Sequence, residues 1–170
     1  LWREPFPTHS TQNVITPLQH RDLIITGGIG QPTVALRPGQ GKVETEVERI
    51  WENKEVSLHM SSPVLLEGKL FGLSRAKSGH LFCLDPDTGE TLWQGEGRLA
   101  KYAAVLAVGN LLAILTSDGT LIFARPSATG LDYLAEYSVD PSGRAWAHPA
   151  LVGTRVLVKG NDNLTCWSLP

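Results

Sequence analysis

The sequence lacks the features of several specialised protein classes. Its formal net charge is −2, and acidic and basic residues are interspersed without a basic cluster. Nucleic-acid-binding proteins usually carry such a cluster, so we expect no nucleic-acid partner. Two cysteines are present, Cys83 and Cys166, and they could pair with each other in an oxidising compartment.

Long hydrophobic runs are also missing. The longest apolar stretch, residues 102–115, is broken by Gly109 and Asn110. A helix that spans a bilayer needs about 20 consecutive apolar residues, so no transmembrane segment is predicted. No signal peptide, lipid-attachment sequence or targeting tail is recognisable. Residues 1–3 look like the end of a strand and include no initiator methionine, so we expect a chain cut from a longer one.

The composition is that of a folded domain. Hydrophobic residues make up 42% and charged residues 19% of the 170 residues. These fractions are near the averages of globular proteins, and a chain of this length can bury a sizeable core. We therefore expect an ordered protein.

A pattern of four short apolar strands with turn signals between them recurs along the chain. In its second occurrence the strands are predicted at residues 63–66, 70–74, 81–84 and 91–93. Short strands separated by such turn signals are typical of an antiparallel meander. The predicted units are residues 13–52, 61–96, 102–139 and 146–170, with residues 1–3 as the outer strand of a preceding or closing unit.

The spacing of the units predicts the fold class. Apolar residues mark matching places in the units at intervals of about 45 residues, namely Leu23, Leu70, Leu111 and Val156. One twisted four-stranded sheet cannot cover both of its faces, so repeated sheets stack around an axis and bury one another. We predict an all-β protein, a β-propeller of about four four-stranded antiparallel blades.

Residues 99–115 leave an alternative open when they are considered alone. They are rich in Ala and Leu, which are good helix formers. However, Gly109-Asn110 falls at the same place as Gly68-Lys69 and Gly153-Thr154 in other units. We therefore predict two strands and a turn in this stretch, and not one helix.

The segment from Cys83 to Trp93 is the most specific motif in the sequence. It reads Cys-Leu-Asp-Pro-Asp-Thr-Gly-Glu-Thr-Leu-Trp. Asp85 can accept backbone N–H groups in an Asx-type turn, and Gly89 can take a positive φ. Trp93 offers a large flat ring with one donor, which suits packing between blades. The segment resembles the tryptophan-docking motif Ala-x-Asp-x-x-Thr-Gly-x-x-x-Trp of pyrroloquinoline-quinone-type (PQQ-like) propeller repeats, with Cys83 in the alanine place.

This resemblance implies structural roles for five residues. Asp85, Thr88, Gly89 and Trp93 would hold blades together, and Trp51 would be the docking tryptophan of the first unit. The repeat covers nearly all of the chain, although only the second unit carries the full motif.

The repeat also places the two cysteines. Cys83 and Cys166 fall at the same third-strand position as Ala35 and Ala124, two blades apart. A disulfide needs Cα atoms within about 7 Å of each other. We therefore predict two buried free thiols that behave as small hydrophobic side chains.

Ring closure has two possible solutions. PQQ-like propellers usually carry seven or eight blades, and this chain supplies about four. Residues 1–3 could complete the last unit and close a small ring. Alternatively, the chain is an open half of a larger ring, whose exposed faces need a partner. We favour the half-ring, covered by the remaining blades of a longer chain or by a second copy.

Candidate binding residues follow from the geometry of a propeller, in which the segments leading into the innermost strands surround one mouth of the axis. The candidate axial residues are His59, Ser61, Ser62, Tyr102, Trp146 and His148. His59 and His148 have no third ligand at matching places, so no metal site is predicted. His9, His20 and His80 are expected to face solvent.

No catalytic residue is predicted. The sequence has no Ser-His-Asp frame, phosphate-binding glycine loop or zinc spacing, and residues 27–30 are interpreted as a glycine-rich loop. The resemblance implies a non-catalytic scaffold without a cofactor that binds a protein or peptide, as in the outer-membrane assembly lipoproteins and exported bacterial proteins of this family. It also implies a periplasmic or otherwise exported location. The alternative is a fragment of a PQQ-dependent quinoprotein dehydrogenase, which would hold PQQ and Ca²⁺.

Overall fold

The computed structural model describes residues 2–39, 47–140 and 145–169, and only the backbone of Ser10 and Lys77. Within these ranges the protein is all-β, with fifteen strands and two short 3₁₀ turns, His9–Thr11 and Ala76–Ser78. The strands pair antiparallel into three four-stranded sheets and one three-stranded sheet. This architecture confirms the predicted fold class, a β-propeller built of antiparallel blades.

Each blade is a meander in which neighbours in the chain are neighbours in the sheet. Blade 1 consists of β1 (Leu18–His20), β2 (Leu23–Gly28), β3 (Gln31–Pro38) and β4 (Val47–Asn53). Blade 2 consists of β5 (Val64–Leu66), β6 (Lys69–Ser74), β7 (His80–Leu84) and β8 (Thr91–Gln94). Blade 3 consists of β9 (Ala103–Val108), β10 (Leu111–Thr116), β11 (Thr120–Pro126) and β12 (Leu131–Ser138). Blade 4 consists of β13 (Ala150–Val152), β14 (Arg155–Lys159) and β15 (Leu164–Ser168).

Residues 99–115 contain two strands and a turn, as the repeat predicted. β9 pairs with β10 from Val108–Leu111 to Ala103–Thr116. Gly109 has a φ of +58° at the turn, a conformation that favours glycine. Strand pairing and burial therefore override the helix propensity of Ala and Leu. No helix in the described part of the chain is long and apolar enough to cross a membrane.

The core lies between the blades, because the central strands of a blade are buried on both faces. In β6, Leu70 packs toward blade 1 and the next residue, Phe71, packs toward blade 3. β7 repeats this alternation with Phe82 and Cys83. A third cluster, which includes Val156, joins blades 3 and 4. Since successive side chains point to opposite faces of a sheet, one strand serves two cores, and each large side chain contributes about 1.5–3 kcal/mol.

The strand register moves some of the predicted matching positions by one residue. The pairs at corresponding places in the four blades are Ile24–Leu36, Leu70–Leu84, Leu112–Ala124 and Val156–Trp167. The predicted Leu23 and Leu111 therefore lie one residue too early, and Phe123, not Ala124, corresponds to Cys83. Neighbouring residues in these strands are apolar, so the sequence does not show which face of the sheet each side chain occupies. A shift of the pairing by one residue moves a side chain to the other face.

The two cysteines differ in exposure. Cys83 is a free, buried thiol, as predicted, and burial raises its pKa to about 12. Cys166 is also free, but it is exposed, so the prediction of its burial was wrong. The face of blade 2 that carries Cys83 is covered by blade 3. On the same face of blade 4, the described residues supply neither a further blade nor a fourth strand.

His80 was expected to face solvent, but it is buried. β7 begins one residue earlier than predicted, and pairing with Ser74 places His80 inside the blade. Neither ring nitrogen of His80 has a hydrogen-bond partner among the described residues. His20 is half-buried, and its Nε2 lies 2.9 Å from Oδ1 of Asp87. His9 is exposed.

The first residues do not form the predicted outer strand. Trp2 and Arg3 lie in a segment without regular secondary structure, and Leu1 lies outside the described residues. This segment contacts blade 1, where Nε2 of Gln31 donates a hydrogen bond to the carbonyl of Pro7 at 2.6 Å. The segment therefore lies against blade 1 without joining a sheet.

The glycine-rich stretch at residues 27–30 is only partly a loop. Gly27 and Gly28 belong to β2, and the turn to β3 consists of Ile29 and Gly30. Gly28 pairs with Gln31, which leaves only two residues for the turn. Gly30 has a φ of +72° there, which explains the glycine at this position.

The two thiols should differ in reactivity. A chromogenic disulfide reagent should modify Cys166 in the native protein, while Cys83 stays unmodified because it is buried and its pKa of about 12 keeps it protonated at neutral pH. Denaturant should expose the second thiol. Cys166→Ser should abolish the native-state reaction, and Cys83→Ser should leave it unchanged. Fast modification of Cys83 in native Cys166→Ser protein would contradict the structure.

Candidate functional site

Two tryptophans join successive blades with the same geometry. Trp51 in β4 is buried, and its Nε1–H donates a hydrogen bond to the carbonyl of Pro86 in blade 2 at 3.0 Å. Trp93 in β8 holds the corresponding register position, and its Nε1–H donates to the carbonyl of Ser127 in blade 3 at 2.9 Å. Each ring therefore reaches the turn between the third and fourth strands of the next blade.

The turn that receives Trp51 is organised by the side chain of Asp85. Its Oδ1 accepts hydrogen bonds from the backbone N–H groups of Asp87 and Thr88 at 2.9 and 3.0 Å. Gly89 has a φ of +73° in this turn. A Cβ atom at Gly89 would lie 2.5 Å from the Trp51 ring. Glycine is therefore needed for the backbone conformation and for the close approach of the ring.

Asn53 completes this contact, and sequence reasoning missed it. Its Nδ2 donates a hydrogen bond to the carbonyl of Gly89 at 2.8 Å. Its Oδ1 accepts hydrogen bonds from the backbone N–H groups of Glu55 and Val56, each at 2.9 Å. An asparagine at the end of a strand is a weak signal in a sequence, because only the approach of the next blade supplies a partner for its amide.

Three aromatic side chains form a ladder at the mouth of the axis. The ring centroids of His59 and Tyr102 are 5.6 Å apart, and those of Tyr102 and Trp146 are 5.1 Å apart. His59 is buried, Tyr102 is half-buried, and Trp146 is 61% exposed. This aromatic ladder (His59, Tyr102 and Trp146) runs from the interior to the surface, so its outer member is free to contact a partner.

A cavity of about 140 Å³ opens beside the aromatic ladder. Every blade contributes to its lining, through the segment that leads into the innermost strand or through the start of that strand. The lining includes Val14, Met60, Ala103, Ala145 and His148. Val14 and Met60 are exposed apolar residues. The structure thus brings together Tyr102, Trp146 and His148 from the predicted set around one apolar cavity.

The two predicted serines link neighbouring blades. Ser61 is buried, and its Oγ accepts a hydrogen bond from the backbone N–H of Ala103 at 3.1 Å. The Oγ of Ser62 accepts a hydrogen bond from the backbone N–H of Thr16 at 3.2 Å. Both hydroxyl groups therefore fix the segments that surround the mouth.

His59 is anchored at the inner end of the ladder. Its Nε2 lies 3.0 Å from Oε1 of Gln12. Burial lowers the pKa of His59, and the positive charges of Arg75 and Lys101 lower it further. The neutral imidazole is therefore favoured at this position.

Two cationic side chains flank Tyr102. Nζ of Lys101 lies 5.3 Å from the centroid of the Tyr102 ring, and Cζ of Arg75 lies 6.0 Å from it. Both cations are exposed. Neither takes part in an ion pair with another described residue. The mouth therefore combines apolar surface with two positive charges that have no counter-ion from the described chain.

His59 and His148 do not belong to a cluster of potential metal ligands among the described residues. In the described ranges, no group of three or more His, Cys, Asp or Glu side chains is placed to hold a metal ion. The chemistry that the mouth offers is therefore apolar contact, aromatic stacking and attraction of negative charge.

No protein-family model and no curated protein matches this chain. Its fold is shared by solved structures. The computationally designed Ika8 protein is 11% identical to the chain, with a TM-score of 0.66, and the match covers 92% of this chain and 45% of Ika8. The computationally designed Ika4 protein is 12% identical, with a TM-score of 0.64, and the match covers 94% of this chain and 99% of Ika4.

A third similar structure is the N-terminal domain of Nup159. It is 13% identical, with a TM-score of 0.54, and the match covers 84% of this chain and 38% of that domain. At these identities the comparisons show the propeller fold alone. The chain spans less than half of Ika8 and nearly all of Ika4.

The docking turn should be more sensitive to substitution than other turns with the same backbone conformation. Gly89 and Gly68 have φ values of +73° and +72°, but a Cβ atom at Gly68 would meet nothing within 4 Å. Gly68→Ala should therefore cost only the backbone strain, about 1 kcal/mol. Gly89→Ala should cost about 1–3 kcal/mol more in the free energy of unfolding, because it also displaces the Trp51 ring.

Chemical denaturation of the two variants measures this difference. In a Trp51→Ala background the extra cost of Gly89→Ala should disappear, since the ring that it displaces is gone. Equal losses for Gly68→Ala and Gly89→Ala in the wild-type background would show that the ring does not constrain the turn.

Protonation of His59 should destabilise the fold. The unfolded chain protonates this histidine at a pKa of about 6.5, whereas the native pKa is lower. As the pH falls below the unfolded value, the unfolded state binds a proton that the native state resists. The contribution of His59 to the free energy of unfolding should therefore decrease until the pH reaches the native pKa, and stay level below it.

Unfolding experiments between neutral pH and pH of about 5 can isolate this contribution. His59→Gln should weaken the pH dependence, and His9→Gln, at an exposed histidine, should leave it unchanged. The same pH dependence in the wild type and in His59→Gln would show that folding does not lower the pKa of His59.

Proposed function

We propose that this protein is a non-catalytic β-propeller scaffold that binds a protein or peptide segment at the mouth of its axis. The observation that carries this proposal is the exposed Trp146, which packs against the Tyr102 ring at an interplanar angle of 43° beside an apolar cavity lined from all four blades.

The side chains around this cavity are of the kinds that dominate protein interfaces. Tryptophan and tyrosine are frequent hot-spot residues, and methionine is enriched at interfaces. Trp146 and Met60 are both exposed beside the cavity. A partner that covers them would remove apolar surface from water, which contributes about 25 cal/mol per Å². The mouth therefore offers a local source of binding energy.

The mouth is also held in one arrangement before a partner binds. Ser61 and Ser62 tie backbone segments of neighbouring blades together, and Gln12 holds His59. Because these contacts already order the mouth, a partner pays little for ordering it. The same contacts favour a structural role for these polar groups over a role as nucleophile or general base.

We further propose that the four blades belong to a PQQ-like propeller of seven or eight blades in an exported, periplasmic protein. The motif from Asp85 to Trp93 supports the family, because its turn and its ring make the contacts expected of a docking motif. The remaining blades would come from a longer chain or from a second copy.

Selection of binders from a random-peptide display library can test binding at the mouth. Peptides synthesised after selection should bind Trp146→Ala at least about tenfold more weakly, a loss of about 1.4 kcal/mol measured by calorimetry. Tyr133→Ala is the matched control, because Tyr133 is similarly exposed at 58% but lies on β12.

Equal affinity for the wild type and Trp146→Ala would place the binding surface elsewhere. Stoichiometric uptake of PQQ with Ca²⁺, together with dye-linked oxidation of an alcohol, would favour a quinoprotein dehydrogenase over a scaffold.

A further inference from the structure

We infer that the segment bound at the mouth is an acidic peptide in which a carboxylate lies close in sequence to one bulky apolar side chain. This inference rests on the proposed function and adds the chemistry of the partner. It is carried by the placement of two cations on the same tyrosine that forms one wall of the apolar cavity.

Two cations lie beside the ring of Tyr102. Lys101 Nζ and Arg75 Cζ lie 5.3 and 6.0 Å from the centroid of the Tyr102 ring, which itself lines the cavity. The cations come from different blades, since Arg75 follows β6 and Lys101 precedes β9. Two positive charges within 6.0 Å of the centroid of one ring make the surface around Tyr102 attractive to an anion.

The described chain does not neutralise this positive charge. Arg37 on blade 1 pairs with Asp22 at 2.6 Å and with Glu48 at 3.2 Å. Arg75 and Lys101 form no such pair with a described residue. Their charge also acts on the mouth, because both lower the pKa of His59. A partner's carboxylate would supply the missing counter-charge.

The cavity has the size of one apolar side chain. Its volume is about 140 Å³, and a cavity of about 150 Å³ is large enough for a benzene ring. Met60 and Val14 border it, with Trp146 on the outer side. One leucine-sized or phenylalanine-sized side chain fits this space, so the partner needs a single apolar anchor.

The spacing of the cations and the cavity limits the length of the partner segment. The centroids of Tyr102 and Trp146 are 5.1 Å apart, and both cations lie within 6.0 Å of the Tyr102 centroid. Because an extended chain advances about 3.3–3.6 Å per residue, these distances keep the carboxylate within about three residues of the anchor. The partner is therefore a short linear segment in which an acidic residue lies near an apolar one.

Nucleic acid fits this surface less well. A single strand needs a groove of positive charge that follows several phosphates, whereas this mouth offers two cations and an apolar cavity. The formal net charge of −2 for the whole chain also disfavours a polyanion. An acidic peptide satisfies both the cations and the cavity.

Three synthetic peptides can test the inference, each with a fluorescent label at its N-terminus. The first reads Gly-Ser-Asp-Leu-Asp-Ser-Gly, and the other two carry Asn or Lys in place of both Asp residues. We expect the Asp peptide to bind about tenfold more tightly than the Asn peptide and the Lys peptide to bind most weakly in fluorescence anisotropy. The preference for Asp should shrink as salt is added, because the cations are exposed.

Charge variants connect this preference to the two cations. Arg75→Gln combined with Lys101→Gln should abolish the preference for Asp over Asn and leave the weaker binding of the Asn peptide in place. Arg155→Gln is the matched control, since it removes an exposed positive charge at the start of β14. It should leave the preference unchanged.

The outcomes separate the inference from the function on which it rests. If the Lys peptide binds as tightly as the Asp peptide and both are weakened by Trp146→Ala, the acidic preference is overturned and the mouth remains a binding site. If no peptide binds, or if Trp146→Ala binds all of them normally, the proposed function fails as well. If a short oligothymidylate binds more tightly than the Asp peptide and loses affinity in the double variant, the partner is not a peptide.

Discussion

The fold depends on the burial of apolar sheet faces between neighbouring blades. A single four-stranded sheet has two apolar faces and no means of covering them by itself. In blade 2, Leu70 and Phe71 are consecutive residues of one strand, yet they belong to the cores shared with blade 1 and with blade 3. The central strands of blade 2 can be apolar throughout only because another blade meets each of their faces.

The contacts of Trp51 and Trp93 fix how neighbouring blades are positioned. Trp51 crosses from blade 1 to the turn of blade 2, where Gly89 leaves room for its ring and Asn53 bonds the same turn. Trp93 repeats the crossing to blade 3. These contacts lie at the outer part of the blades, while Ser61 and Ser62 link segments near the axis. Each of these blades is thus held both at its outer part and near the axis. These contacts keep the residues of the aromatic ladder and the cavity in fixed relative positions.

Much of the architecture could be predicted from the sequence, because a meander is a local structure. Turn signals such as Gly109-Asn110 divide the chain into strands, and the segment from Asp85 to Trp93 carries its own turn chemistry. Register was less accessible. Leu111 and Leu112 are both apolar, and only pairing with β11 shows which of them corresponds to Leu70. A pattern of apolar residues fixes which segments are strands before it fixes which face each side chain occupies.

The sequence allowed the location of the candidate site to be predicted, but not the contacts that its side chains make. The rule that inner-strand segments surround the axis selects Tyr102, Trp146 and His148, and these residues do share one cavity. The rule could not show that Ser61 and Ser62 would be used as links between blades. It also gave no role to Arg75, which belongs to the turn after the second strand of its blade and meets Tyr102 only when blades 2 and 3 are stacked.

Local sequence specifies the strands, the turns and the repeat, because these follow from side-chain alternation and backbone preferences within a few residues. Which side chains are buried, and which residues they contact, is set by the packing of the blades. Cys83 and Cys166 hold corresponding positions, yet one is buried by the next blade and the other is exposed. The ladder from His59 to Trp146 likewise joins residues far apart in the chain. The physical reason is that contacts between blades depend on how whole sheets stack, which no local stretch of sequence encodes.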